Sequence, residues 1–241
     1  MRAETRHHLK EDRFRGTTLQ VAENAATWSV EHKSKIMAGA VVLVVVIAAV
    51  AGGWYYLSNQ EQKASAELSK AMRTMETPVR PVGMPAQPDL PSFASSQERA
   101  TEARKQFQAI ADKYPHSRSG EFARYFLGVT ATQLGDYAAA QKDLGPIASS
   151  RNQDLASLAK MAQAGAYRKQ GQNKPAIDIY KALADKPTNL VSKATAQLEL
   201  ASTLMADRQP LEAKGLYERI QKENPASPAS QIAAQALQDL K

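Results

Sequence analysis

The sequence predicts an all-α protein, a short solenoid of antiparallel helical hairpins preceded by one transmembrane helix. Three observations lead there. The chain has 241 residues, 43% of them hydrophobic, yet Ile36–Leu57 is a run of 22 residues without a single charge. Outside that run the chain is rich in Ala, Gln, Lys and Glu, and the whole is only 6% aromatic, a composition of helices rather than of sheets. From Ser95 onward, small and large apolar residues return every 36 or 37 residues, the mark of a repeat architecture.

The apolar run comes first in the chain. At about 1.5 Å per residue it spans roughly 33 Å as a helix, enough to cross the hydrocarbon layer. Trp54, Tyr55 and Tyr56 cluster at one end, where amphipathic rings favour the headgroup level, and Lys33 and Lys35 close the other. A cleaved signal peptide is the rival reading, since Ala49-Val50-Ala51 resembles a small-x-small cleavage site. The length of the run and the 35 residues ahead of it favour a span. Seven Lys/Arg precede the run, whereas Glu61 and Glu67 accompany Lys63 and Lys70 just after it. That bias predicts a cytoplasmic N-terminus and a C-terminal part across the membrane. Ala48/Gly52 and Ala49/Gly53 have the small-xxx-small spacing that packs helices in lipid, or are simply tolerated there.

Residues 1–35 form the cytoplasmic tail. Leu19, Ala22, Ala26 and Val30 share one helical face, so Thr17 to His32 reads as a short amphipathic helix with Trp28 at the membrane surface. The alternative is an unstructured tail that supplies topology charges. His7, His8 and His32 have no accompanying carboxylate or thiol pattern, and no metal site is expected. Beyond the span, residues 58–76 read as a membrane-proximal helix. Residues 77–94 form a Pro-rich linker, with five of the twelve prolines between Thr77 and Pro91. Such density favours extended polyproline II, which predicts a semi-rigid spacer on the order of 45 Å long.

The repeat domain occupies residues 95–241. Its columns are Ala103, Ala140, Ala176 and Ala213, then Phe107, Leu144, Tyr180 and Tyr217, then Ile110, Ile147, Leu183 and Ile220. Within each copy the offsets are four and three, so each trio lies on one helix face. Upstream of the last three trios runs a second apolar stripe: Phe122-Tyr125-Phe126-Val129, Leu158-Met161-Ala162-Tyr167 and Leu198-Leu200-Ala201-Leu204. Gly135-Asp136, Gly171-Gln172 and Arg208-Gln209-Pro210 make the turns between paired helices. A hairpin of this kind cannot bury its apolar face alone, so copies must stack.

Leu127-Gly128, Gly135, Ala140 and Leu144 resemble the tetratricopeptide repeat (TPR), as do Tyr167, Gly171, Ala176 and Tyr180, then Ala201, Leu204, Ala213, Tyr217 and Pro225. Tyr114-Pro115-His116-Ser117, leading into Phe122–Gly128, is similar to the form found in bacterial envelope members. Asn224-Pro225-Ala226-Ser227, followed by Ile232–Leu237, echoes it. The periods exceed the family's usual length of about 34, Asn152 stands where Pro is common, and the first copy lacks an evident first helix. Residues 60–75 supply that helix, or the first repeat is half present.

The whole layout is similar to the ancillary SecYEG translocon subunit family. That resemblance implies a single-pass protein of the bacterial inner membrane whose periplasmic repeats link the SecYEG translocon with periplasmic chaperones. Positions resembling the inner face of the TPR family are Phe122, Tyr125, Val129 and Gln133, then Met161, Arg168 and Lys169, then Leu198 and Met205. These nine form a partner-binding groove, or pack between hairpins. Aromatics and Met give adaptable contact, and Arg168 with Lys169 would receive a carboxylate.

The chemistry that is missing narrows the function. The absence of cysteine excludes disulfide scaffolds, thiolate chemistry and an acylated Cys anchor. No phosphate loop, HExxH or Ser/His/Asp set occurs, and His116, the one histidine after the span, reads as a turn residue. No enzyme activity, catalytic residue, cofactor or small-molecule substrate is therefore expected. The formal charge is +7, of which 24 Lys/Arg against 19 Asp/Glu after residue 57 leave +5 spread over the helices. Nucleic acid would need a clustered stripe with aromatics, whereas anionic headgroups suit a mild surplus. The expected partners are thus proteins or peptides, with the lipid bilayer around residues 36–57. A holdase-type periplasmic chaperone and a cell-wall or division coordinator that regulates an enzyme remain alternatives to the translocon scaffold.

Overall fold

The computed structural model describes residues 32–85, 89–223 and 225–240. Most of the expected tail helix, with His7, His8 and Trp28, therefore lies outside the described residues. Those described form nine helices: α1 (Lys33–Glu76), α2 (Ser96–Lys113), α3 (Arg118–Gln133), α4 (Tyr137–Ala148), α5 (Gln153–Lys169), α6 (Asn173–Asp185), α7 (Lys193–Ala206), α8 (Pro210–Glu223) and α9 (Pro228–Asp239). The chain divides into two compact units, Met1–Ser58 and Asn59–Lys241.

In the first unit, α1 carries the apolar run. Its most apolar 18-residue window has a mean hydropathy of 2.7 and buries nothing against the protein. Val41–Ile47 and Trp54–Leu57 are all exposed. Among the described residues this is the one helix long and apolar enough to cross a membrane.

The second unit is the repeat stack. Its helices begin where short polar side chains can accept an otherwise orphaned backbone N–H. Ser95 accepts from Glu98 N at 3.0 Å, Ser117 from Gly120 N at 2.8 Å and Asp136 from Ala139 N at 3.0 Å. Asn152, the departure from the family's proline, caps α5 by accepting from Leu155 N. Ser192 and Ser227 cap α7 and α9 in the same way. Gly135 (φ 79°) and Gly171 (φ 75°) turn the chain between paired helices, and Arg208 (φ 59°) holds the same left-handed conformation in the last hairpin.

The three predicted columns form the spine of the core. Ala103, Ala140, Ala176 and Ala213 are fully buried, as are Phe107, Leu144, Tyr180 and Ile220 to within 1%. α3 pairs with α4, α5 with α6, and α7 with α8, while α9 closes the stack on α8. The first hairpin takes its first helix from the far half of α1. Ala64, Leu68, Ala71, Met72 and Met75 recur on one helical face and pack against Phe107, Ile110, Ala111 and Tyr114. Phe107 in turn stacks on Phe126 of α3, centroids 5.1 Å apart.

The Pro-rich tract differs from its expectation as an extended spacer. Its two ends are pinned together. Arg80 N donates to Phe93 O at 2.9 Å, Phe93 N donates to Pro78 O at 3.0 Å, and Arg80 Nη1 reaches Ser92 O at 3.1 Å. Arg99 of α2 donates to Thr77 O at 3.0 Å. Within the loop, Met84 N donates to Pro81 O, and Gly83 at φ 88° supplies the left-handed residue that such a turn needs. Proline removes donors and stiffens the chain, but Arg80 and Phe93 keep theirs. Packing of α1 on α2 fixes both ends of the tract, so it closes instead of extending.

Two glutamates fasten α1 to the turn before α3. Glu61 accepts from Ser119 N at 3.2 Å and from Ser119 Oγ at 2.7 Å, which satisfies the first turn of α3. Glu67 Oε1 accepts from Lys113 Nζ at 2.7 Å and from Tyr114 Oη at 2.8 Å. The Lys113 hydrogen bond, then that of Tyr114, hold the Glu67 carboxyl below the ordinary glutamate value of 4.5. A depressed carboxylate stabilises the fold above its unfolded pKa and loses that contribution as pH falls through the folded one. Packing of residues 59–76 should therefore weaken as pH drops below about 4.5, and Glu67→Gln should flatten that acid limb when unfolding is followed against pH. An acid limb unchanged by the substitution would contradict this assignment.

Candidate partner-binding groove

The first helices of successive hairpins line up along one side of the stack, and between α3 and α5 they leave a concavity of about 320 Å³. Six of the nine residues picked from the sequence meet there. Tyr125, Val129 and Gln133 come from α3, and Met161, Arg168 and Lys169 come from α5. The other three sit elsewhere. Phe122 packs among Leu144, Ile147, Leu155 and Ala159, and Leu198 and Met205 pack against the core cluster around Tyr180, Leu200 and Leu204.

Phe122, Tyr125, Val129 and Gln133 share one face of α3, and Phe122 stands one turn nearer the N-terminus, where it and Tyr125 pack against the cluster of Leu144, Ile147 and Leu155. Arg168 is the most constrained member of the groove. Its Nη1 lies 3.0 Å from Glu199 Oε2 and donates to Ser202 Oγ at 3.1 Å, both on α7. The carboxylate expected from a partner is thus already matched from within the chain, and the exposed Lys169 is the groove's other cation.

Tyr180 and Glu199 are wall residues that the sequence reading did not select. Tyr180 rises from α6 with 1% of its surface exposed and lines the concavity. A Cβ added at Gly165 would stand 3.8 Å from the Tyr180 hydroxyl, which places that hydroxyl beside the glycine in the wall of the groove. Burial and the nearby Glu199 push its phenol up to about 12, against the opposing pull of Arg168. It therefore stays a neutral donor near neutral pH. Burial alone raises Tyr125 in the same direction.

A register signal for Glu199 was present in the sequence. Tyr125, Ala162 and Glu199 stand 37 residues apart, and all three line the groove. Tyr180 was legible only as a member of the large apolar column, where its hydroxyl is what distinguishes it from Phe107 and Leu144.

The groove offers an apolar floor with a phenol donor, an internally paired arginine and a free lysine at its rim. Such a surface suits side chains of an extended peptide or a partner helix. Among the described residues no three His, Asp or Glu side chains gather as metal ligands.

No curated protein matches the chain. A family model described as a tetratricopeptide repeat-like domain matches residues 27–162. That match is more than half of the chain, and it runs from ahead of the apolar run through α1 to most of α5. With the stacked hairpins and their buried Ala and Leu/Tyr columns, it shows that the chain belongs to the tetratricopeptide repeat-like domain family.

Proposed function

We propose that the protein is a membrane-anchored interaction scaffold whose TPR-like stack holds a protein or peptide partner in the groove between α3 and α5. The observation that carries the reading is that concavity, where apolar side chains, Tyr180 and Lys169 converge on a surface that the chain does not fill. TPR-like domains are in general protein-binding modules without catalytic function, and the groove contains no paired nucleophile and base. The groove's small volume suits one or two partner side chains better than a broad unfolded client, which favours a scaffold over a holdase.

The anchor rests on the exposed, uncharged helix 36–57 and its aromatic end. The Lys/Arg bias supports a cytoplasmic N-terminus and a periplasmic stack. The resemblance in layout supports a place beside the SecYEG translocon in the bacterial inner membrane, where the groove would recruit partners or chaperones.

Photocrosslinking from the groove tests the scaffold. A photoreactive residue at the exposed Gln133 of the full-length membrane protein should give discrete protein adducts. The same residue at exposed Asp178 on α6, outside the groove, should not. Adducts that are absent, or equal from both positions, would overturn the reading.

A further inference from the structure

The start of α3, the turn before it and the α4–α5 loop bring together residues that the sequence keeps apart. Arg118 and Arg124 come from α3 and Arg151 from the α4–α5 loop, and all three line one open concavity of about 580 Å³ with His116, Ser149 and Ser150. Glu121 is the one acid in that lining, against three arginines. Among the described residues none of the three arginines takes part in an ion pair. Lys113 and Lys193, at comparable loops, are by contrast held by Glu67 and Glu223. Three guanidinium groups against one carboxylate, none of them in an ion pair, form a site for anionic oxygens, and phosphate is the group that their planar forks match best.

The position of the cluster in the chain decides between sources of phosphate. Glu61 follows Leu57, the last residue of the uncharged run, by four residues. Four residues reach at most about 14 Å, however the chain runs. The Glu61 carboxylate accepts from both the backbone N–H and the hydroxyl of Ser119, and Arg118 precedes Ser119 in the chain. The arginine cluster is therefore tethered close to the point where the apolar run ends, where headgroup phosphates stand at high local concentration. Nucleic acid fits the cluster poorly, since no Phe, Tyr or Trp lines it to stack a base.

We propose that Arg118, Arg124 and Arg151 form a headgroup-binding patch that docks the first two hairpins on an anionic lipid surface. The proposal rests on the reading of residues 36–57 as a membrane span. Docking would hold the α3–α5 groove at a defined height above the bilayer, so that the anchor fixes where partners are presented as well as which membrane carries them.

The chain contains no cysteine, so a single fluorophore can be placed by Ser149→Cys in the full-length protein. The labelled protein is reconstituted into vesicles of phosphatidylcholine alone, or of phosphatidylcholine with phosphatidylglycerol, that carry a headgroup quencher. Quenching should be strong only with phosphatidylglycerol and should fall at high salt. Each arginine should add about fivefold to the docked population. The triple change Arg118→Gln, Arg124→Gln, Arg151→Gln should abolish the phosphatidylglycerol effect, and the triple Arg→Lys change should restore most of it. Inorganic phosphate in the buffer should leave the quenching in place, and competition by it would assign the patch to a soluble anion. Equal quenching in the two lipid mixtures overturns the proposal from the unsubstituted protein alone. Protein that fails to float with either vesicle would overturn the anchor instead.

Discussion

A fragment that begins at residue 92, cut as though the repeat domain followed the Pro-rich tract, is expected to be less stable than residues 59–241 by on the order of 5 kcal/mol. The cut removes Ala64, Leu68, Ala71, Met72 and Met75, which cover Phe107, Ile110, Ala111 and Tyr114. Phe107 and Ile110, 0% and 2% exposed in the intact stack, would meet water, and each large apolar side chain so exposed costs roughly 2 kcal/mol. The bonds of Glu61 to Ser119 and of Glu67 to Lys113 and Tyr114 go with them. α2 would then keep its packing on α3 and the ion pair of Arg104 with Asp143 of α4, 3.0 Å apart. Chemical denaturation of the two fragments should show one cooperative transition for residues 59–241. For residues 92–241 the midpoint should be lower and α2 should lose amide protection first. Equal midpoints would show that α1 contributes nothing to the stack.

The second large effect is expected at a single hydrogen atom. A Cβ on Gly128 would lie 2.3 Å from Leu144 Cγ and 2.7 Å from its Cδ2, and Leu144 is fully buried. Gly128→Ala should therefore force α3 and α4 apart and cost about 2–3 kcal/mol, as overpacking of a filled core does. Gly165 occupies the matching position one repeat later, 37 residues on. There a Cβ meets only the Tyr180 hydroxyl, at an ordinary 3.8 Å. Gly165→Ala should be neutral or stabilising by up to about 1 kcal/mol through helix propensity. Thermal unfolding of the two variants separates close packing from propensity, and a loss of similar size in both would refute the contrast.

These two comparisons show where the sequence speaks and where it is silent. The repeat register was legible because a hairpin must bury the same face in every copy, which forces Ala, then Leu, Phe or Tyr, then Ile or Leu to recur at 36 or 37 residues. The first helix of the first hairpin was half legible. Ala64, Leu68, Ala71 and Met75 carry the helical spacing, but the adjoining apolar run and the prolines after them suggested a boundary on each side. The prolines pointed to extension, because local propensity says nothing about the α1–α2 packing that pins Arg80 against Phe93.

The candidate groove shows the same division. Tyr125, Val129, Gln133, Met161, Arg168 and Lys169 came from matching positions on repeating helices. Leu198 and Met205 lie outside the concavity between α3 and α5 and pack, partly buried, against the core cluster around Tyr180 and Leu200. That Arg168 would meet Glu199 depends on where α5 and α7 stand relative to one another, which no local pattern records. The arginine patch was hidden for a related reason. Arg118, Arg124 and Arg151 are unremarkable along the chain, and only the meeting of α3 with the α4–α5 loop gathers them, none in an ion pair.

The helix that carries the apolar run is also the first helix of the repeat stack, and on the proposed function it would tie the stack to a membrane. Hydrogen exchange on the full-length protein in membranes measures this directly. Amides of residues 62–75 should exchange as slowly as those of α2 and lose protection together with them when Phe107→Ala opens the shared interface. Rapid exchange of residues 62–75, beside a fully protected α2, would contradict the claim.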